Sequence, residues 1–93
     1  MAQASARRWR YTQHVRVQMA RRGISDAEIA EVLARPEQIV EMRPGRFVYQ
    51  RRQFDAKTGR TYLLRVVVDM VGDEGIIVTA YRTRKVAKYW RDA

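Results

Sequence analysis

"RTYLLRVVVDMVGDEGIIVTAYRT", residues 60–83, is the stretch that decides the fold. Over 60–70 the apolar side chains recur every second residue. Tyr62, Leu64, Val66, Val68 and Met70 share one face, as strand geometry requires. Leu63 and Val67 on the other face predict a central strand, covered in part on both sides. Gly72-Asp-Glu-Gly75 supplies a hairpin loop, and 76–82 reads as the last strand. A loop this short makes the two strands antiparallel.

Working outward, 47–54 is a strand closed by the turn-forming run Asp55-Ala-Lys-Thr-Gly59, and 38–43 is a shorter one. Arg43-Pro-Gly-Arg46 joins them as a turn with Pro at its second position and Gly at its third. Upstream the period becomes helical. Thr12 can cap a helix running to Arg22, with Tyr11, Val15 and Met19 as its apolar stripe and Gly23 past its end. Ser25-Asp-Ala-Glu28 has the spacing of a capping box. It opens a second helix, with Ala27, Ile29, Ala30, Val32 and Leu33 as its buried face, that Pro36 ends. Residues 1–10 read as a basic arm, with Trp9 packing on the body. The pattern predicts a single α+β domain over 11–93, in which two N-terminal helices pack on one face of a four-stranded antiparallel sheet.

A chain of 93 residues has room for one modest core. Apolar runs such as Val66-Val67-Val68 are far shorter than the roughly 20 residues that span a bilayer. The N-terminal stretch is basic but has no apolar segment of signal-peptide type. With no cysteine, disulfides and thiolate metal sites are excluded. A soluble cytoplasmic protein without a cofactor is the expectation.

The net charge of +9 is unevenly placed. Arg7, Arg8, Arg10, Arg16, Arg21 and Arg22 lie in the first 22 residues with no acid among them. Arg82, Arg84, Lys85, Lys88 and Arg91 follow in 79–91, again without an acid. Between them the chain is close to neutral. If the fold brings the two ends together, they form one positive face suited to a polyanion, nucleic acid first. Most of these cations are Arg, whose planar fork suits phosphate. The plainer reading is a solvated basic surface.

His14 is the only histidine and so the natural carrier of protons near neutral pH. It borders the first helix's apolar stripe, with Arg10 and Arg21 on the same flank, and cationic neighbours favour a neutral imidazole able to accept a proton. The plainer role is a boundary histidine covering the core edge. In the last strand, alternation sets Thr79, Tyr81 and Thr83 on one face and Ala80, Arg82 and Arg84 on the other. Metal-free RNA cleavage needs a base, an acid and cations for the phosphorane. His14, Tyr81, Arg82 and Lys85 can fill those roles if the first helix lies near the end of the last strand. Arg10, Arg16, Arg21, Thr79, Thr83, Arg84 and Lys88 are the candidate nucleic-acid contacts. Asp69, Asp73 and Glu74 are better read as solvated or turn acids than as metal ligands. No Gly-rich phosphate loop, zinc-protease motif or nucleophile elbow is present.

Three segments together resemble a known family. "YTQHVRVQMARRGISDAEIAEVLARPEQIV", "RPGRFVYQRR" and "LRVVVDMVGDEGIIVTAYRTRK" are similar, in order, to domain of unknown function 4258. The resemblance covers about residues 11–90. It implies an architecture like that of the BrnT and RelE toxins, which cleave RNA without metal and are neutralised by an antitoxin. It matches His14 to the family histidine and Thr79, Tyr81, Arg82, Thr83 and Lys85 to the final-strand motif. Members often carry Arg where this chain has Gln18. The leading expectation is therefore a metal-independent endoribonuclease of toxin type, with RNA as substrate and a small acidic antitoxin-like protein as partner. A non-catalytic nucleic-acid-binding module is the alternative, and a basic interaction module for an acidic protein is a third.

Overall fold

The computed structural model describes residues 6–92. Its elements run β1 (Arg8–Tyr11), α1 (Gln13–Arg22), α2 (Asp26–Ala34), β2 (Gln38–Arg43), β3 (Arg46–Asp55), β4 (Arg60–Val71), β5 (Glu74–Thr83) and α3 (Val86–Tyr89). The strand order is β1-β5-β4-β3-β2. Strands β2 to β5 form an antiparallel meander, while β1 pairs with β5 in parallel. Among the described residues no helix is long and apolar enough to cross a membrane.

The expected architecture, two helices on a four-stranded antiparallel sheet, is corrected by these elements. The sheet has five strands and is mixed, and there are three helices. Residues 1–5 of the proposed arm lie outside the described residues, and its second half supplies β1. That strand's burial alternates, Arg8 and Arg10 out and Trp9 and Tyr11 half in. Four residues with two arginines look like a solvated tail until a partner strand 65 or more positions away accepts them. Helix α3 is a single turn, too short for any 3.6-residue period to register.

The local signals act where they were read. Thr12 caps α1 by accepting from the Val15 N–H. Its hydroxyl also donates to the Ile77 carbonyl at 2.9 Å, so one side chain starts the helix and ties it to β5. Gly23 ends α1 in the left-handed region, φ 65°, where a side chain is unfavourable. The capping box forms in both directions between Ser25 and Glu28.

Val15, Met19, Ile24, Ile29, Val32 and Leu33 from the helical layer bury against Phe47, Tyr49, Leu64, Val66, Val68, Ile77 and Ala80 of the sheet. Burying a side chain of this kind is worth about 1.5–3 kcal/mol. Trp9 crosses the end of this layer and meets the Tyr49 ring edge-on, with centroids 5.5 Å apart. The opposite sheet face is also closed. There Gln50, fully buried, accepts from Arg65 Nε at 2.9 Å and donates to Gln38 and the Tyr89 carbonyl. The Arg65 guanidinium lies 4.1 Å from the Tyr89 ring centroid, and Gln38 bonds Arg91. The C-terminal turn is thus fastened across β3 and β4 by amide and guanidinium contacts.

Candidate nucleic-acid interface

Strand β1 covers β5 only as far as the Tyr11–Ile77 pair. Beyond it the outer edge of β5 faces α1, whose side chains take the place of a strand. Gln18 Oε1 accepts from the Ala80 N–H at 3.1 Å and from Thr79 Oγ1 at 2.6 Å. Arg22 Nη1 donates to the Ala80 carbonyl at 2.7 Å. His14, Gln18 and Arg22 are spaced by four and form one row on α1. Since the lower two touch β5, His14 heads that row beside the strand edge, with its side chain exposed.

Arg82 follows on the edge and reaches under the end of α1. Its guanidinium donates to the Arg22 and Gly23 carbonyls at 3.3 and 3.2 Å. A cation there satisfies free carbonyls and the negative end of the helix dipole. Arg82 also donates to Gln53 Oε1 at 3.0 Å and to Glu28 Oε2 at 2.5 Å. Burial opposes ionisation of Glu28. The Ser25 backbone bond and the Arg82 and Gln53 side chains outweigh it, holding the carboxyl down at about 2. At neutral pH this group is a fixed anion and no proton donor.

The four proposed catalytic residues do not all meet: Arg82 shares one hollow with Tyr81 and another with Lys85, while His14 lines neither. His14 lies in the first turn of α1, and Arg82 binds carbonyls at its last. At 1.5 Å per residue the helix separates them by roughly 13 Å. Tyr81 points to the other sheet face, where its hydroxyl accepts from Arg65 Nη1 and its ring meets Tyr89 edge-on. Lys85 is exposed, and its backbone N–H donates to Thr83 Oγ1 at 3.0 Å.

The proposed contact residues divide in the same way. Arg10 pairs with Glu74 at 3.7 Å, and Arg16 pairs with Asp26 while stacking on Tyr11. Thr79 serves Gln18. Arg21, Arg84 and Lys88 are exposed and have no carboxylate within salt-bridge distance among the described residues, and Thr83 Oγ1 accepts from the Lys85 N–H. Gln18 is an acceptor here, and an Arg in its place could not take the Thr79 and Ala80 protons. Residues that sequence reasoning did not assign to the site are Glu28, Gln53, Phe54 and Tyr62. Glu28 was visible only as half of a capping box.

Three adjoining hollows share Arg82. One is lined by Arg22, Thr79 and Tyr81 beside it, and a second by Tyr62, Thr83, Arg84 and Lys85. The third runs towards Phe54 and Lys57. Cations thus surround this end of β5.

The region of the chain from the start of α1 to this edge has a family of its own. The chain belongs to the family described as a domain of unknown function, DUF4258, whose model matches residues 11–82. The DUF4258 match includes His14, Thr79, Tyr81 and Arg82 and stops before Thr83, Arg84, Lys85 and Lys88. Most of β1 and all of α3 also lie outside it. No curated protein and no solved structure matches the chain.

Proposed function

We propose that this protein binds RNA along the edge where α1 meets β5 and the chain enters α3. The observation that carries this reading is how the cations are sorted. Arg10, Arg16, Arg35, Arg46, Arg51, Arg52 and Arg82 each face a carboxylate, and the unpaired Arg43, Lys57, Arg60 and Arg65 are scattered along the middle of the chain. Arg21, Arg22, Arg84 and Lys85, around the end of α1 and just after β5, have none among the described residues. Cations left without acids beside hollows are available to phosphates, and phosphate contacts supply most non-specific affinity for nucleic acid.

Cleavage is the second reading, favoured by one observation. His14 is exposed at the head of a helical row that runs down to Arg22, so its ring is accessible to a strand held along that row. In this reading the protein is a metal-independent ribonuclease of the toxin type that the resemblance to BrnT and RelE implies. A small acidic protein covering the same cations would then silence it.

The test uses a labelled RNA in EDTA, with binding and cleavage read on the same samples. The double variant Arg84→Ala/Lys85→Ala is expected to bind at least about tenfold more weakly and to lose salt dependence, by about one unit of log–log slope per contact removed. Affinity unchanged in this variant would overturn the binding reading. If wild-type protein cleaves, His14→Ala should lower the rate by roughly 10²–10⁴-fold with affinity retained. Binding without cleavage rejects the ribonuclease and keeps the module.

A further inference from the structure

Arg65 is only 9% exposed, in a strand where Leu63, Leu64, Val66, Val67 and Val68 are buried too. A buried cation is ordinarily paired with an anion, because water no longer solvates it. Arg65 has no carboxylate partner among the described residues. Its Nε donates to Gln50 and its Nη1 to the Tyr81 hydroxyl, while Nη2 makes no hydrogen bond among those residues. The register accounts for this company. Gln38 pairs with Gln50, Gln50 with Arg65 and Arg65 with Tyr81. One polar rung therefore crosses β2, β3, β4 and β5 on the face away from α1 and α2, between the buried Val48 and Val67 on one side and Leu63 on the other.

The C-terminal turn covers this rung, but holding the turn and carrying the charge fall to different residues. Gln38 and Gln50 make the hydrogen bonds, to Arg91 and to the Tyr89 carbonyl. Arg65 makes none to the turn; the Tyr89 ring lies over its guanidinium, 4.1 Å from the ring centroid. Helix α3 is a single turn with no side-chain cap, and helices this short have little stability of their own. At the β5 end of the rung, Tyr81 lines the hollow it shares with Arg22, Thr79 and Arg82, so the rung opens on the edge assigned to RNA. We propose that Arg65 is the centre of a phosphate site that the Tyr89 ring occupies in the free protein, and that an RNA phosphate displaces the α3 turn to reach it. The two Nη2 protons, and the Tyr81 hydroxyl proton that Arg65 leaves free, are the donors for the phosphate oxygens. The inference rests on the RNA-binding reading above and adds to it a site that is closed until RNA arrives.

The test combines amide hydrogen exchange with the anisotropy of fluorescein-labelled decauridine, on the full chain. In the free protein the Lys88 and Trp90 amides donate to the Lys85 and Val86 carbonyls at 3.2 and 2.8 Å. They should exchange faster once RNA is bound, the reverse of the protection an ordinary interface gives. Tyr89→Ala removes the ring and should tighten binding roughly 2- to 30-fold, the effect of deleting one cation–π contact that competes with the ligand. Arg65→Gln should weaken binding about tenfold or more and, in the double variant, abolish the gain from Tyr89→Ala. Should Arg65→Gln fail to fold, the exchange measurement and Tyr89→Ala decide between the outcomes. RNA binding with the turn still protected, and with affinity unchanged in Tyr89→Ala, would refute the covered site and leave the RNA reading intact. No RNA binding by wild type or by Tyr89→Ala would refute both. A gain in Tyr89→Ala for a decaglutamate peptide and not for RNA would overturn phosphate as the occupant.

Discussion

Glu28 joins three parts of the molecule through one carboxylate: the cap of α2, the Gln53 amide on β3 and the Arg82 guanidinium on β5. Its folded pKa lies near 2 against an ordinary 4.5. A carboxyl whose pKa is depressed in the folded state adds stability above its unfolded pKa and loses it as pH falls through the folded one. The contribution should be complete above about pH 4.5 and fade towards pH 2. Glu28→Gln is expected to melt at a lower temperature than wild type at pH 7, with the gap closing over that window. Thermal unfolding from pH 7 to 2.5 checks it, and a gap constant with pH would mean the carboxylate's charge is not what matters. The helix-capping half of this residue was legible in the spacing Ser25 to Glu28. Its bond to Arg82, 54 positions away, was not, because no local rule sets that distance.

At the scale of elements, β1 depends on a missing side chain. Trp9 pairs with Gly75 across the parallel ladder, and its indole lies over that glycine. A Cβ at Gly75 would sit 2.4 Å from Trp9 Cζ3 and 2.5 Å from Cε3. Neither the rigid ring nor the backbone can absorb that without moving β1. Gly75→Ala is therefore expected to destabilise the fold by about 1–3 kcal/mol, the range for overpacking, measured by urea unfolding. In a double-mutant cycle, Trp9→Leu should cancel much of that loss. Strictly additive losses would show that the indole is not the obstacle. Here the element reading partly failed. The turn composition of Gly72-Asp-Glu-Gly75 predicts a loop glycine at 75, whereas the structure puts it in β5 opposite Trp9. Its second role appears only once a ring from β1 is placed over it.

Across the whole molecule, charge is divided between scaffold and surface. Arg46 and Asp69 form a two-pronged pair at 2.6 and 2.7 Å directly across β3 and β4, and Arg52 and Glu37 do the same near β2. At the end of β5 Arg82 pairs with Glu28, whereas Arg84, Lys85 and Lys88 have no carboxylate partner among the described residues. If about 4–6 cations meet phosphates, log affinity for single-stranded RNA should fall with log salt at a slope of roughly −3 to −4. A titration from 50 to 300 mM salt gives this slope directly, and a flat response would remove nucleic acid as the principal partner.

The sequence by itself determined what depends on neighbours within a few positions. The period-two strands, the Thr12 and Ser25 caps, the Pro44-Gly45 turn and the loop before β5 follow from propensities, side-chain alternation and short hydrogen bonds. It also placed cations without acids at both ends of the chain. Tertiary structure alone decided that Arg8–Tyr11 is a strand, since a four-residue segment gains its hydrogen bonds only from β5. It decided which cations stay free, because Arg82 is claimed by Glu28 and two helix carbonyls while Arg84 and Lys85 are not. And it set His14 and Arg82 at opposite ends of α1, a separation fixed by the rise of a helix docked along a strand and invisible in residue spacing.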